Sequence, residues 1–86
     1  MKKTKLNKVF DKQFGLYVKK KRLEKGWSQS ELASRVENNF QNISRLECGE
    51  ITPTLFWCYK LAEAFEVDLS EIINEFDFST KVKKTG

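Results

Sequence analysis

Apolar positions along the chain recur at three- and four-residue spacing, which predicts a succession of short helices. Phe10, Phe14, Tyr17, Val18 and Leu23 set one apolar face on a helix over about Asp11–Lys25, with Gly26 placed for a left-handed exit. Ser28-Gln29-Ser30-Glu31 has the form of a capping box, in which the serine oxygen accepts from the third amide and Glu31 reaches back to the cap amide. The helix it opens turns Leu32, Ala33 and Val36 inward. Asn39 is placed to cap a third helix that ends at Gly49. At about 100° per residue, Ile43, Leu46 and Glu47 share one side of that helix, with Phe40 at its edge. Gln41, Arg45 and Cys48 point the other way, flanked by Ser44 and Asn42. After a loop holding Pro53, Thr54 caps a fourth helix reaching about Phe65, predicted to bury Leu55, Cys58 or Tyr59, Leu61, Ala62 and Phe65. A second capping box, Asp68-Leu69-Ser70-Glu71, opens a fifth, whose Leu69, Ile72, Ile73 and Phe76 either seal the core or meet a partner.

The chain has 86 residues, 40% of them hydrophobic, enough for one small domain. The expected division is a basic N-terminal arm over 1–10, a helical domain over 11–76 and a basic tail over 77–86. The net charge of +4 comes from the two ends, because residues 13–78 are net negative. An arm of this kind is placed to seek phosphates. Lys19, Lys20 and Lys21 form either a phosphate clamp or a solvated face, and Trp27 and Trp57 read as packing aromatics. No apolar run suits a membrane span or a secretory signal, so a cytoplasmic protein is expected.

The sequence holds no histidine and two cysteines, Cys48 and Cys58, so no metal site can be built from the usual ligands. Both thiols read as structural or incidental, without a disulfide in a reducing compartment. An enzyme is hard to assemble from these residues: there is no glycine-rich phosphate loop and no nucleophile whose base can be named. Glu63 and Glu66 fit a solvated helix face. No cofactor and no small-molecule ligand is called for.

Five segments stand in register: Val18-Lys-Lys-Lys-Arg22-Leu23 before Gly26; Ser28-Gln29-x-Glu31-Leu32-Ala33; Ile43-Ser44-Arg45-Leu46-Glu47-x-Gly49; Pro53-Thr54-x-x-x-x-Tyr59-Lys60-Leu61-Ala62; and Val67-Asp68-Leu69-x-Glu71-Ile72. With these residues the chain resembles the phage repressor/Cro type of helix-turn-helix transcriptional regulator, the XRE family. The resemblance implies an all-α, five-helix, lambda-repressor-like bundle. Its third helix would enter the major groove of double-stranded DNA, its second would lie across the backbone, and its working form would be a homodimer joined through helix five. DNA-contacting positions carried over in this way are Ser28, Gln29, Gln41, Asn42, Ser44 and Arg45, and Asn39 and Phe40 at the start of the same helix are expected to join them. Gln29 would bond a phosphate or brace the reading helix, and Arg22 and Glu47 would form a structural ion pair between helices one and three.

The chain departs from the family pattern at the turn, where Glu37 stands in place of the favoured glycine, and the left-handed residue is expected at an asparagine instead. Cys48 stands where an asparagine is frequent. Arg45 suits the guanine O6/N7 edge and Gln41 the adenine edge. Phe40 either staples the helix start or touches a thymine methyl. The expected function is sequence-specific DNA binding by a small regulator. The alternative is a protein-interaction module on the same fold, such as an antitoxin or a bridging cofactor, motivated by the acidic middle of the chain and the apolar fifth helix.

Overall fold

The computed structural model describes residues 5–75. They form five helices: α1 (Lys5–Glu24), α2 (Gln29–Arg35), α3 (Phe40–Glu47), α4 (Leu55–Phe65) and α5 (Leu69–Glu75). Phe76, Phe78 and the basic tail lie outside the described residues. The first helix is already formed at Lys5, the first described residue, rather than beginning near Asp11, so residues 5–10 add more than a turn to it. Phe10 is half-buried there and stacks on Phe14 with ring centroids 5.6 Å apart.

Serine, asparagine and threonine start the middle helices as the sequence predicts. The side chains of Ser28, Asn39 and Thr54 accept from the amides of Glu31, Asn42 and Trp57 at 3.0, 2.9 and 3.0 Å. Each takes up one of the donors that a helix start leaves without a carbonyl. The return half of the first capping box does not form, because the Glu31 carboxylate bonds Arg35 at 3.1 Å, one turn further on. At α5 the Glu71 amide goes to the main-chain carbonyl of Asp68 at 2.9 Å.

Four helices end through one kind of corner. A single left-handed residue follows each: Gly26 (φ 75°), Glu37 (φ 57°), Gly49 (φ 78°) and Glu66 (φ 62°). The next amide then reaches back five residues, from Trp27 to Arg22, Asn38 to Ala33, Glu50 to Arg45 and Val67 to Ala62, at 2.8–3.1 Å. The turn between α2 and α3 therefore takes its left-handed residue at Glu37, not at an asparagine. Asn38 is occupied otherwise: its side-chain oxygen accepts from the Asn39 amide and the Asn42 side chain, each at 2.8 Å.

The core gathers Phe14 and Val18 of α1, Leu32 and Ala33 of α2, Ile43 and Leu46 of α3, Leu61 and Phe65 of α4, and Ile72 of α5. Each large side chain removed from water in this way contributes about 1.5–3 kcal/mol. Two expected core members lie outside: Leu23 and Leu55 are exposed. Leu23 stands beyond the arc defined by Phe14, Val18 and Arg22, and Leu55 precedes the point where α4 meets the core. Cys58, not Tyr59, takes the inward place on α4. The fifth helix divides its apolar groups, Ile72 sealing the core while Ile73 faces solvent.

Gly15 decides how closely α1 approaches α3. A Cβ built there would lie 2.6 Å from the carbonyl oxygen of Glu47 and closer still to that of Leu46. Alongside it, Asp11 is fully buried and accepts a 2.6 Å hydrogen bond from the Thr52 hydroxyl, tying the α3–α4 loop to α1.

Candidate nucleic-acid interface

The third helix is fixed by its inner face and open on its outer one. Ile43 and Leu46 are wholly buried, and Glu47 beside them is buried as an ion. Glu47 receives Arg22 Nε at 2.7 Å on one oxygen, and Arg22 Nη2 at 3.1 Å together with Gln29 Nε2 at 3.1 Å on the other. The remaining Arg22 nitrogen, Nη1, donates to the Trp27 carbonyl at 2.8 Å. One carboxylate thus joins α1, α2 and α3. Paired in this bidentate way and bonded by a third donor, the two charges meet the conditions under which burial is tolerated.

Of the two roles open to Gln29, its side-chain amide takes the bracing one. Ser28 spends its hydroxyl oxygen on capping α2, and Asn39 does the same for α3. Asn42 is half-buried and tied to Asn38, whereas Ser44 is half-buried at the side of the outer face. Gln41 and Arg45 are both exposed, one helical turn apart. Arg45 Nε lies 3.7 Å from Glu50, a loose surface pair of little strength. Phe40, 49% exposed at the first turn of α3, is neither fully stapled nor fully free.

Trp27 packs as expected. Its ring stacks on Phe65 with centroids 6.1 Å apart, and the Arg35 guanidinium lies 4.1 Å from its centroid. Lys19 and Lys20 are exposed, and Lys21 pairs with Glu24 at 3.8 Å. Cys48 is exposed at the end of α3, and Cys58 is buried, which pushes its thiol pKa up. Among the described residues no group of three or more Cys, Asp or Glu could hold a metal ion, and no helix is long and apolar enough to cross a membrane.

Sequence reasoning missed Gly15, Asp11 and the left-handed Glu37. Gly15 carried a usable signal, being a glycine in the interior of an apolar-periodic helix, where only a close approach compensates its lost helix propensity.

The fold recurs in solved structures. The restriction-modification controller protein C.AhdI from Aeromonas hydrophila aligns with a TM-score of 0.72 at 26% identity, over 77% of this chain and 96% of that one. The clp gene regulator ClgR from Corynebacterium glutamicum aligns in two structures at 19% identity. Their TM-scores are 0.72 and 0.67, covering 87% and 85% of this chain and 80% and 90% of those. At that identity they speak to the fold alone. No curated protein is significantly similar in sequence. A helix-turn-helix family model matches residues 18–72, more than half of the chain, from the buried Val18 to the buried Ile72. The chain belongs to the XRE family of helix-turn-helix, DNA-binding transcriptional regulators.

Proposed function

We propose that this protein is a sequence-specific binder of double-stranded DNA, working in the cytoplasm as a homodimer that lays α3 of each protomer in the major groove. The observation that carries this reading is the pairing of Gln41 and Arg45, exposed one turn apart on a helix whose opposite face is clamped by Ile43, Leu46 and the Arg22–Glu47 pair. A side chain reads a base edge only if the backbone beneath it is held still. Arg45 would take the O6/N7 edge of a guanine and Gln41 the edge of an adenine, each worth about 1–3 kcal/mol of discrimination. Ser44, Asn42, Asn39 and Phe40 would lie along the same groove wall, and the backbone amides at the start of α2, near Ser28, would meet a phosphate. The lysines of segment 1–10 would add attraction to the DNA backbone without reading sequence.

Ile73 on α5, with Leu55, Phe56 and Tyr59 exposed on α4, supplies apolar surface for the two-fold contact. Half-sites would then lie about 34–36 Å apart. Selection of bound sites from a random duplex pool tests the proposal. The wild type should return a two-fold-related consensus, and Arg45→Ala should lose preference at one base pair of each half-site. A consensus unchanged by Arg45→Ala, or an equal loss on every sequence, would overturn the reading role. The contact between protomers is tested by Ile73→Glu, which should halve the mass measured by light scattering.

A further inference from the structure

The solvent side of α1 carries a pattern that neither the core nor the DNA-reading helix uses. Leu6, Val9, Gln13, Leu16, Lys20 and Leu23 follow one another at alternating three- and four-residue steps, the spacing of a helix-pairing seam. The four apolar members are 60%, 41%, 56% and 57% exposed. On a helix turning about 100° per residue, this line runs opposite Phe14, Val18 and Arg22, the residues that hold α1 to the rest of the fold. Lys5, Lys12 and Lys19 stand seven residues apart along one flank of the seam, all exposed. The other flank holds Phe10 and Tyr17, which turn into the core, and Glu24. Leu16, Lys19, Lys20, Leu23 and Glu24 together line a shallow surface hollow.

We infer that this face of α1 is a docking surface for an acidic amphipathic helix of another protein. Its apolar line would enter the Leu6–Leu23 seam, and its carboxylates would meet Lys12 and Lys19. Charge selects this occupant. In a second copy of the chain, antiparallel pairing would set lysine flank against lysine flank, and parallel pairing would oppose Lys20 to Lys20 inside the seam. The chain's own continuation past Glu75, residues 76–86, carries Lys81, Lys83 and Lys84 against the single Asp77, and the lysine row repels this basic segment. A bilayer is met by an apolar face rich in large groups, whereas this seam is broken at regular intervals by Gln13 and Lys20. Polar groups at single seam positions fix the register of a helical partner. Because α3 packs on the opposite side of α1, Gln41 and Arg45 stay open when this face is occupied, so one protomer can hold DNA and a protein helix together.

The probe is a synthetic peptide of about three heptads with leucine at the seam positions and glutamate on both flanks, labelled for fluorescence anisotropy against the full-length protein. Saturable binding is expected, about tenfold or more weaker for Leu16→Glu/Leu23→Glu and for Lys12→Glu/Lys19→Glu, as when central contacts are lost. All four positions are exposed, so circular dichroism should show both variants folded. No binding, equal binding of a shuffled peptide of the same composition, or binding indifferent to Leu16→Glu/Leu23→Glu would overturn the proposal. So would a fall in the protein's own mass with the leucine variant, which assigns the face to a second copy. Loss of co-sedimentation with anionic phosphatidylserine vesicles in that variant would assign it to a membrane and overturn the proposal equally.

Discussion

Arg22 and Glu47, far apart in sequence, meet through two nitrogens and two oxygens at 2.7 and 3.1 Å, with both residues buried. Removing one partner strands the other as a buried charge. Glu47→Ala should therefore cost about 3–5 kcal/mol in urea unfolding, whereas Arg22→Met/Glu47→Leu should recover most of that loss. The double variant separates stability from positioning. If the pair serves to hold the reading helix, its DNA affinity should stay below wild type even where its midpoint does not.

Gly15→Ala is expected to destabilise the fold by about 1–3 kcal/mol, although alanine is the better helix former. The added methyl meets the backbone carbonyls of Leu46 and Glu47, which cannot rotate away as a side chain could. Chemical denaturation measures the cost. Alanine at the exposed helical position Ser30 is the control and should leave the midpoint close to wild type.

Glu37→Gly should raise stability by about 0.5–1 kcal/mol, because an L-residue in left-handed backbone carries a steric cost that glycine avoids. The surface pair that Glu37 makes with Lys60 at 3.5 Å is lost with it, a small debit given that the glutamate is largely exposed. Glu66→Gly, in the equivalent corner after α4, should act in the same direction. Thermal unfolding of both variants checks the shared cause.

Burial, reinforced by the nearby carboxylates of Glu71, Glu75 and Glu24, pushes the Tyr17 phenol from 10.0 up to about 12. Between those values the unfolded chain releases this proton while the folded chain keeps it, so the folded state binds more protons. Its contribution is therefore complete below the unfolded value and is lost as pH rises through the folded one. Urea midpoints measured on either side of this window should fall less steeply with pH in Tyr17→Phe than in the wild type.

Helix identity and order were legible in the sequence because caps and apolar spacing act locally. Ser28, Asn39 and Thr54 each cap the helix they precede. What escaped depends on contacts between segments or on subtle backbone choices. Leu23 and Leu55 fit the apolar rhythm of their helices, yet only the approach of other helices determines which arc is covered, and both lie outside it. The left-handed turn residue is Glu37 because the corner that lets the Asn38 amide reach back to Ala33 needs positive φ at the residue before it. The Arg22–Glu47 pair followed from the family resemblance, which left two roles open to Gln29, and only the placement of the helices gives its amide the bracing one.

The connection from α2 to α3 leaves no residue idle. Val36 is in the core, Glu37 makes the corner, Asn38 sends its amide to Ala33 and its side chain forward, and Asn39 closes the next helix. A joint so fully occupied has no slack, and the tilt of one rod against the other is settled while the molecule is alone. On the proposed reading, an arriving duplex would meet a finished tool rather than a hand that must close, and the ordering entropy of the encounter would fall on the DNA and on a few surface rotamers.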